Sequence, residues 1–160
     1  MKYALQLAKN AYALGEVPIG AVIVYKGRVI AEAHNETEKM GDPTAHAELL
    51  CIQRAAKALG NWRLIGCTLY CTLEPCAMCA GAILEARLDK VVWGAPDLRC
   101  GAGGSWVDLF DGSFAIHKVA VERGLCQEES AHLMRQFFKE RRDARGNDCI
   151  ARKKAAQSSL

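Results

Sequence analysis

The sequence lacks any apolar run that approaches the roughly 18 residues needed to span a membrane. It also has no linker and no internal repeat, and no low-complexity stretch before about its last dozen residues. With 51% hydrophobic and 24% charged residues, its 160 residues have the composition of an ordinary globular protein with a substantial core. These absences argue against a membrane role and indicate one folded domain.

No signal peptide is recognisable at the start of the sequence, and this bears on its eight cysteines. A secreted protein could use eight cysteines in a disulfide framework, but two of these form Cys76-x-x-Cys79 in a segment of helical character. That spacing is typical of metal ligands. We therefore expect a reduced, cytoplasmic protein with a metal site.

The sequence has little net charge, only +3, but the charge is unevenly distributed. Residues 139–154 carry seven basic and three acidic side chains, so the rest of the chain has a net charge of −1. A basic block is typical of a segment that faces a polyanion such as a phosphate backbone, although a solvated helix end has the same composition. We divide the chain into a domain over 1–145 and a basic tail over 146–160 that we expect to be partly flexible.

Helical and strand patterns alternate along the chain. Apolar spacing and turn residues predict helices over 3–14, 46–59, 75–87 and 128–145, a short helical piece over 106–110, and strands over 19–25, 28–33, 68–72, 90–93 and 117–121. This order predicts an α/β fold, a three-layer α/β/α sandwich on a mixed sheet of about five strands.

Two short motifs carry side chains that bind metals, His46-Ala47-Glu48 and Pro75-Cys76-Ala77-Met78-Cys79. Cys76 and Cys79 share one face of a helix's first turn, where the helix N-terminus favours thiolates. His46 and Glu48 are two residues apart and can converge only at the start of a helix. We therefore expect both motifs at helix N-termini, at the edge of the sheet where α/β proteins bind ligands.

One imidazole and two thiolates make three ligands for Zn²⁺. Three protein ligands leave a fourth position for water, which distinguishes a catalytic from a structural zinc. Glu48 is not needed as a ligand and can act as a general acid and base beside that water. Addition of water to a carbon that bears an exocyclic amine, followed by loss of ammonia, is hydrolytic deamination, and the H-x-E and P-C-x-x-C pair occurs in zinc deaminases that act on nucleobases.

Further stretches extend the pattern around these motifs: EVPIGAV at 16–22, DPTAHAE at 42–48, WRL at 62–64, TLYCTLEPCAMCAGAI at 68–83, FF at 137–138 and RR at 141–142. With them the sequence resembles the bacterial-type tRNA-specific adenosine deaminases, the TadA family of the cytidine deaminase-like superfamily. The resemblance covers nearly the whole chain. Pro96 stands where that family often has arginine or another polar residue, and the family often has several residues before the first helix, so the resemblance implies a shortened N-terminus.

The resemblance implies zinc-dependent hydrolytic deamination of the wobble adenosine in a tRNA anticodon to inosine, typically in tRNA-Arg. It also implies a cytoplasmic homodimer with one Zn²⁺ per subunit, bound to the anticodon stem-loop. By similarity His46, Cys76 and Cys79 are the zinc ligands, and Glu48 moves the proton. The resemblance further assigns five substrate-binding residues: Val17, Asn35, Asp97, Phe138 and Arg142.

Two other functions fit the same metal motifs. A free nucleobase or nucleoside deaminase, acting on guanine or cytosine, can share them, and only the basic final helix favours an RNA substrate over a small molecule. A zinc-stabilised RNA-binding module without catalysis needs a closed metal site, for which Cys71 could supply the fourth ligand. Strand alternation instead favours Cys71 as a small core residue.

Overall fold

The computed structural model describes residues 1–112 and 117–157, with side chains described up to residue 144. The helices are α1 (Lys2–Ala13), α2 (Thr37–Met40), α3 (Ala47–Leu59), α4 (Ala77–Glu85) and α5 (Gln127–Gln157). The strands are β1 (Gly20–Tyr25), β2 (Arg28–His34), β3 (Cys67–Leu73), β4 (Lys90–Ala95) and β5 (Ala120–Arg123). Among the described helices, none is long and apolar enough to cross a membrane.

The five strands form one mixed sheet in the order β2-β1-β3-β4-β5. β1 runs antiparallel to both β2 and β3, while β3, β4 and β5 are parallel. Lys26 and Gly27 both adopt positive φ between β1 and β2, as a two-residue hairpin turn of type I′ requires. The pairing brings the start of β1 and the ends of β2, β3 and β4 to one edge of the sheet, and the candidate site lies there.

Helices cover both faces of this sheet. α1 and α5 pack on one face, against β1 and β4 respectively, and α3 packs on the other face against β2 and β1, with α4 beside it. Both faces of β3 and β4 carry apolar side chains that are buried by helices. Leu69 and Trp93 are buried on one face and Val92 on the other. The predicted three-layer α/β/α sandwich on a mixed five-stranded sheet is confirmed.

The segment over 106–110 is not helical, contrary to the prediction. Its backbone amides donate outside the i−4 pattern, for example from Trp106 to the carbonyl of Gly101 and from Leu109 to that of Ala102. Gly103 also bridges to Asp108 across the loop. The segment is not helical because its amides donate to carbonyls five to seven residues earlier and not to those four residues earlier.

Several element boundaries also differ from the sequence prediction. The fifth strand is Ala120–Arg123, slightly later than predicted, and α4 ends at Glu85 because Arg87 adopts a φ of +56°. α5 continues without a break past residue 145 to Gln157. The predicted flexibility of residues 146–160 concerns a region whose side chains lie outside the described part, so that division stays a prediction.

Gly20 allows α1 to pack directly on β1, and its replacement should be costly. A Cβ atom at Gly20 would lie 2.1 Å from the carbonyl oxygen of Ala4 and 2.7 Å from the amide nitrogen of Ala8. Because backbone must move to relieve this overlap, we expect Gly20→Ala to lower the free energy of unfolding by about 3 kcal/mol or more. Urea denaturation followed by circular dichroism measures this.

Gly81 provides the matched control, because a Cβ there meets no atom within 4 Å and the residue lies inside α4. Alanine is the better helix former, so Gly81→Ala should raise the free energy of unfolding by roughly 0.5–1 kcal/mol. Equal effects of the two substitutions would contradict the packing described for α1 and β1.

Candidate metal centre and substrate cavity

Both metal motifs lie at helix N-termini, as the sequence analysis expects. His46 is the N-cap of α3 and Cys76 is the N-cap of α4, each with extended backbone angles. Glu48 and Cys79 follow in the first turns of their helices. Pro75 therefore precedes the cap of α4, where the sequence analysis expected it inside the first turn. The N-termini of α3 and α4 therefore lie next to each other at the same end of the sheet.

The three predicted ligands converge on one point. Nδ1 of His46 lies 3.7 Å from Sγ of Cys76 and 3.5 Å from Sγ of Cys79, and all three ligand atoms lie within 4.8 Å of one another. Tetrahedral zinc with ordinary bond lengths places a nitrogen and a sulfur ligand about 3.6 Å apart. The spacing of the donor atoms therefore fits a tetrahedral metal ion.

The pKa values of the two thiols are shifted in opposite directions. The hydrogen bond between them lowers the pKa of Cys76 to about 4 and raises the pKa of Cys79. A hydrogen bond to Cys76 also raises the pKa of His46. Two adjacent thiolates repel each other, so one sulfur keeps a proton unless a cation binds. The sequence analysis expected both as thiolates in a metal site, and this stays a prediction. A metal ion that takes both sulfurs would displace that proton.

Cys71 is separate from this group. It lies in β3, fully buried, with its Sγ 3.8 Å from the carbonyl oxygen of Val92. The metal-binding group found among the described residues consists of His46, Cys76 and Cys79 without it. Three protein donors match an open, catalytic type of site, and Cys71 is a core residue.

Glu48 supplies a carboxylate beside the ligands. It is 3% exposed, and its Oε2 has no hydrogen-bond partner among the described residues. Burial raises the pKa of Glu48 to about 7, although the charge of His46 opposes the shift. A buried carboxylate oxygen without a partner is suited to hold a water molecule and to accept its proton.

A cavity of about 800 Å³ opens beside His46. Its walls come from the segment before β1, the ends of β2, β3 and β4, and one side of α5. The structure brings all five predicted substrate-binding residues to these walls: Val17, Asn35, Asp97, Phe138 and Arg142. Their contacts with a substrate remain predictions.

The wall from α5 contains residues that the sequence analysis did not select. Ala131, Met134, Arg135 and Lys139 line the cavity together with Phe138 and Arg142. These positions recur at helical spacing, so a helical wheel centred on Phe138 would have found them. Arg99 of the loop after β4 adds a fourth basic side chain. The cavity therefore has a basic rim above a largely apolar wall.

In two pairs of neighbouring residues of α5, one side chain packs against the protein and the other lines the cavity. Phe137 is buried against Tyr12, with ring centroids 5.6 Å apart, while Phe138 is half-buried at the cavity. Arg141 donates to the carbonyl oxygen of Gly15 at 3.1 Å and stacks on Phe137, whereas Arg142 faces the cavity. The sequence analysis grouped each pair as one feature, and the structure divides both pairs into an anchoring and a cavity-facing residue.

A buried carboxylate shapes the wall after β4. Glu74 accepts hydrogen bonds from the amides of Asp97 at 3.0 Å, Gly103 at 2.9 Å and Ser105 at 3.1 Å, and from the Ser105 hydroxyl. Gly101 passes so close that a Cβ there would lie 2.4 Å from Cδ of Glu74. Glu74 thus fixes the loop that carries Asp97 and Arg99 and gives those two residues defined positions.

A mixed five-stranded sheet between helical layers, with this His-Cys-Cys group and a buried glutamate at its edge, defines the class of deaminases with the cytidine deaminase-like fold. The sequence matches the MafB19-like deaminase family over residues 1–142. It is 46% identical to the tRNA-specific adenosine deaminase of Bacillus subtilis over 160 residues, which are 100% of this chain and 94% of that protein. The chain belongs to the family of tRNA-specific adenosine deaminases, as the resemblance predicts, and it is a deaminase.

Two further matches agree with this family. The chloroplastic tRNA(adenine(34)) deaminase of Arabidopsis thaliana is 47% identical over 154 residues, which are 86% of this chain and 12% of that much longer protein. A solved structure from work on A-to-I editing by tRNA:A34 deaminases is 47% identical and superposes with a TM-score of 0.81, covering 83% of this chain and 96% of that chain.

Proposed function

We propose that the protein hydrolytically deaminates the wobble adenosine of a tRNA anticodon to inosine, with one Zn²⁺ per subunit held by His46, Cys76 and Cys79. One observation carries the proposal: a three-donor metal group and a buried carboxylate lie beside a cavity whose rim is basic. The names of the relatives support adenosine 34 of tRNA as the target.

When bound, zinc supplies the Lewis acidity that activates a water molecule. Glu48 accepts a proton from that water at its unpartnered Oε2 and delivers it to the ring nitrogen beside the amine-bearing carbon. It then assists departure of the amine as ammonia, so that one water is consumed and one ammonia is released. Because Glu48 is buried, its proton is exchanged with the substrate instead of with bulk water.

The rim of the cavity favours a base attached to RNA. Arg99, Arg135, Lys139 and Arg142 are exposed side chains around one opening, and Asp97 lies among them. Basic groups in this position neutralise phosphates, whereas a free base offers none. An anticodon loop presents unstacked bases, so extrusion of one base into the cavity costs little.

The direct test is incubation of the zinc-loaded protein with an anticodon stem-loop that carries adenosine at the wobble position, scored for inosine. Free adenosine, cytidine and guanine are incubated in parallel. We expect inosine in the RNA and no turnover of the free compounds. Turnover of a free base without turnover of the RNA would favour the free nucleobase deaminase instead. Comparison of tRNA-Arg with other tRNAs tests the further proposal that tRNA-Arg is the substrate.

We also propose a cytoplasmic homodimer, which the family resemblance supports. Trp62 and Trp106 are 53% and 65% exposed, and such side chains are suited to burial against a partner. Sedimentation equilibrium at micromolar concentration should give twice the chain mass. A monomer at all concentrations would contradict the dimer without affecting the chemistry.

The two neighbouring arginines of α5 should respond differently to removal. We expect Arg142→Ala to raise KM for the stem-loop roughly 3- to 30-fold, with a smaller change in kcat and a salt dependence reduced by about one phosphate contact. Arg141→Ala should leave KM nearly unchanged and lower the free energy of unfolding by about 1 kcal/mol, because it loses its bond to Gly15 and its ion pair with Glu38. Steady-state kinetics at several salt concentrations separate the two, and equal KM effects would contradict the division of roles.

A further inference from the structure

A third buried carboxylate, after Glu48 and Glu74, lies behind the part of the cavity wall formed by Asn35 and Thr37. We propose that Glu16 is a positioning residue for the reaction, because its carboxylate sets the orientation of the Asn35 amide at the cavity. This inference rests on the proposed function and assigns a role to a residue that is not itself among those lining the cavity.

Glu16 is 1% exposed and accepts four hydrogen bonds. Nδ2 of Asn35 donates to it at 3.2 Å, and the Thr37 hydroxyl also donates at 3.2 Å. The amides of Glu38 and Lys39 donate at 3.3 and 2.8 Å. The carboxylate therefore holds the end of β2 and the start of α2 together from the segment that precedes β1.

The charge of Glu16 is maintained despite its burial. Burial alone raises the pKa of Glu16, but the hydrogen bonds from Lys39, Glu38, Asn35 and Thr37 together outweigh it and hold the pKa below its usual value. The group is thus a carboxylate at neutral pH, and a carboxylate only accepts hydrogen bonds.

This restriction decides which end of the Asn35 amide faces Glu16. Only Nδ2 can donate, and Nδ2 also lies 2.9 Å from the hydroxyl oxygen of Thr37. If the amide were rotated, its oxygen would face the negative charge of Glu16, and the carboxylate would lose one hydrogen bond. Asn35 therefore has one amide orientation, with the donor end held by the protein and Oδ1 turned away from Glu16.

Asn35 is placed where that orientation affects substrate binding. It is 2% exposed, lines the cavity, and donates its backbone amide to the carbonyl oxygen of Ile19 at 3.0 Å. Thr37 and Ile19 line the same cavity. An amide that is fixed before the base arrives presents its hydrogen-bonding groups without the loss of alternative orientations, which is preorganisation of a binding site.

A double-mutant cycle separates this role from a structural one. Four proteins are compared on the wobble-adenosine stem-loop under single-turnover conditions: the wild type, Glu16→Gln, Asn35→Ala and the double variant. We expect Glu16→Gln to lower kcat/KM roughly 10- to 100-fold in the wild-type background, because glutamine can donate as well as accept and no longer excludes the rotated amide. With alanine at position 35 the same change should cost less than about 3-fold.

Two controls accompany the cycle. Glu36→Gln changes a nearby, partly buried carboxylate that pairs with His34, Lys39 and Arg54 and does not line the cavity, and we expect wild-type kinetics from it. Glu16→Asp keeps the charge but shortens the side chain, so it gives a second, milder variant if Glu16→Gln folds poorly. The decrease in kcat/KM caused by Glu16→Asp should also disappear in the Asn35→Ala background. Zinc content and melting temperature are measured for every variant.

The outcomes distinguish the inference from the function on which it rests. Equal losses from Glu16→Gln and Glu16→Asp in both backgrounds would show a structural role alone and overturn the inference, as would wild-type kinetics for both variants. Absence of inosine with the wild-type protein would overturn the proposed function, and the inference with it. Inosine from the wild type together with a loss that depends on Asn35 supports both.

Discussion

Replacement of Glu48 by glutamine is expected to reduce the rate of deamination by at least 10²- to 10⁴-fold, the range typical of a general acid–base group. Glutamine has the same shape and can still hold a water molecule, but it cannot accept a proton. Glu48 is buried beside the metal group, and its Oε2 has no hydrogen-bond partner among the described residues. Single-turnover measurement of inosine in the anticodon stem-loop gives the rate.

The zinc content of the Glu48→Gln protein should match that of the wild type. The three donors His46, Cys76 and Cys79 are unchanged, and their mutual distances already fit the ion without a fourth protein ligand. Glu129→Gln, on the exposed surface of α5, is the matched control and should retain full activity. Activity that persists in Glu48→Gln would remove this residue from the mechanism, and a loss of zinc would make it a metal ligand.

Removal of the metal is expected to abolish deamination without unfolding the protein. Cys79→Ser, or treatment of the wild type with a chelator, should lower activity more than about 10³-fold, because no group of the chain replaces the Lewis acid. Added Zn²⁺ should restore the chelated wild type but not the variant. The main core cluster, which includes Leu69, Ile83 and Trp93, buries apolar side chains without any metal, so the far-ultraviolet circular dichroism should persist.

The melting temperature should nevertheless fall when the metal is removed, because an ion that binds only the folded chain stabilises it. Cys71→Val is the control that distinguishes an open from a closed site. Cys71 is buried in β3 and lies outside the metal group, so this variant should keep both zinc and activity. Loss of zinc from Cys71→Val would instead indicate a closed, structural site.

The sequence predicts the two metal motifs well because the geometry within each motif is local. A helix start fixes how His46 stands relative to Glu48, and how Cys76 stands relative to Cys79, within four residues of chain. The sheet follows from the alternation of strands and helices, since few topologies satisfy it. The structure supports each of these predictions with only small changes in element boundaries.

Predictions failed where a distant carboxylate organises the backbone. α2 is too short to form by propensity, and Glu16 accepts the amides of Glu38 and Lys39 from more than twenty residues away. The 106–110 segment adjoins the loop that Glu74 holds, from about thirty residues away. No window of local sequence contains both partners, so neither feature could be predicted from pattern alone.

The predictions for α5 fell between these cases. Its start and its basic character were predicted from the sequence, but its continuation past residue 145 was not. A helical wheel would have separated Phe137 from Phe138 and Arg141 from Arg142. A helical wheel does not show which residues of other elements these side chains contact. Arg141 meets Gly15, which is 126 residues earlier in the chain, and only the packing of α5 beside α1 brings the two together.

The walls of the cavity differ in how they are held, and this affects how its substrate range could change. Two of its walls are segments whose backbone amides are held by Glu16 and Glu74, so replacement of either carboxylate releases several hydrogen bonds at once. The third wall is one side of α5, where side chains can be exchanged while the helix remains intact. New substrate preferences should therefore be easiest to acquire at positions 131, 134, 135, 138, 139 and 142, so this helix is the part of the site best able to evolve.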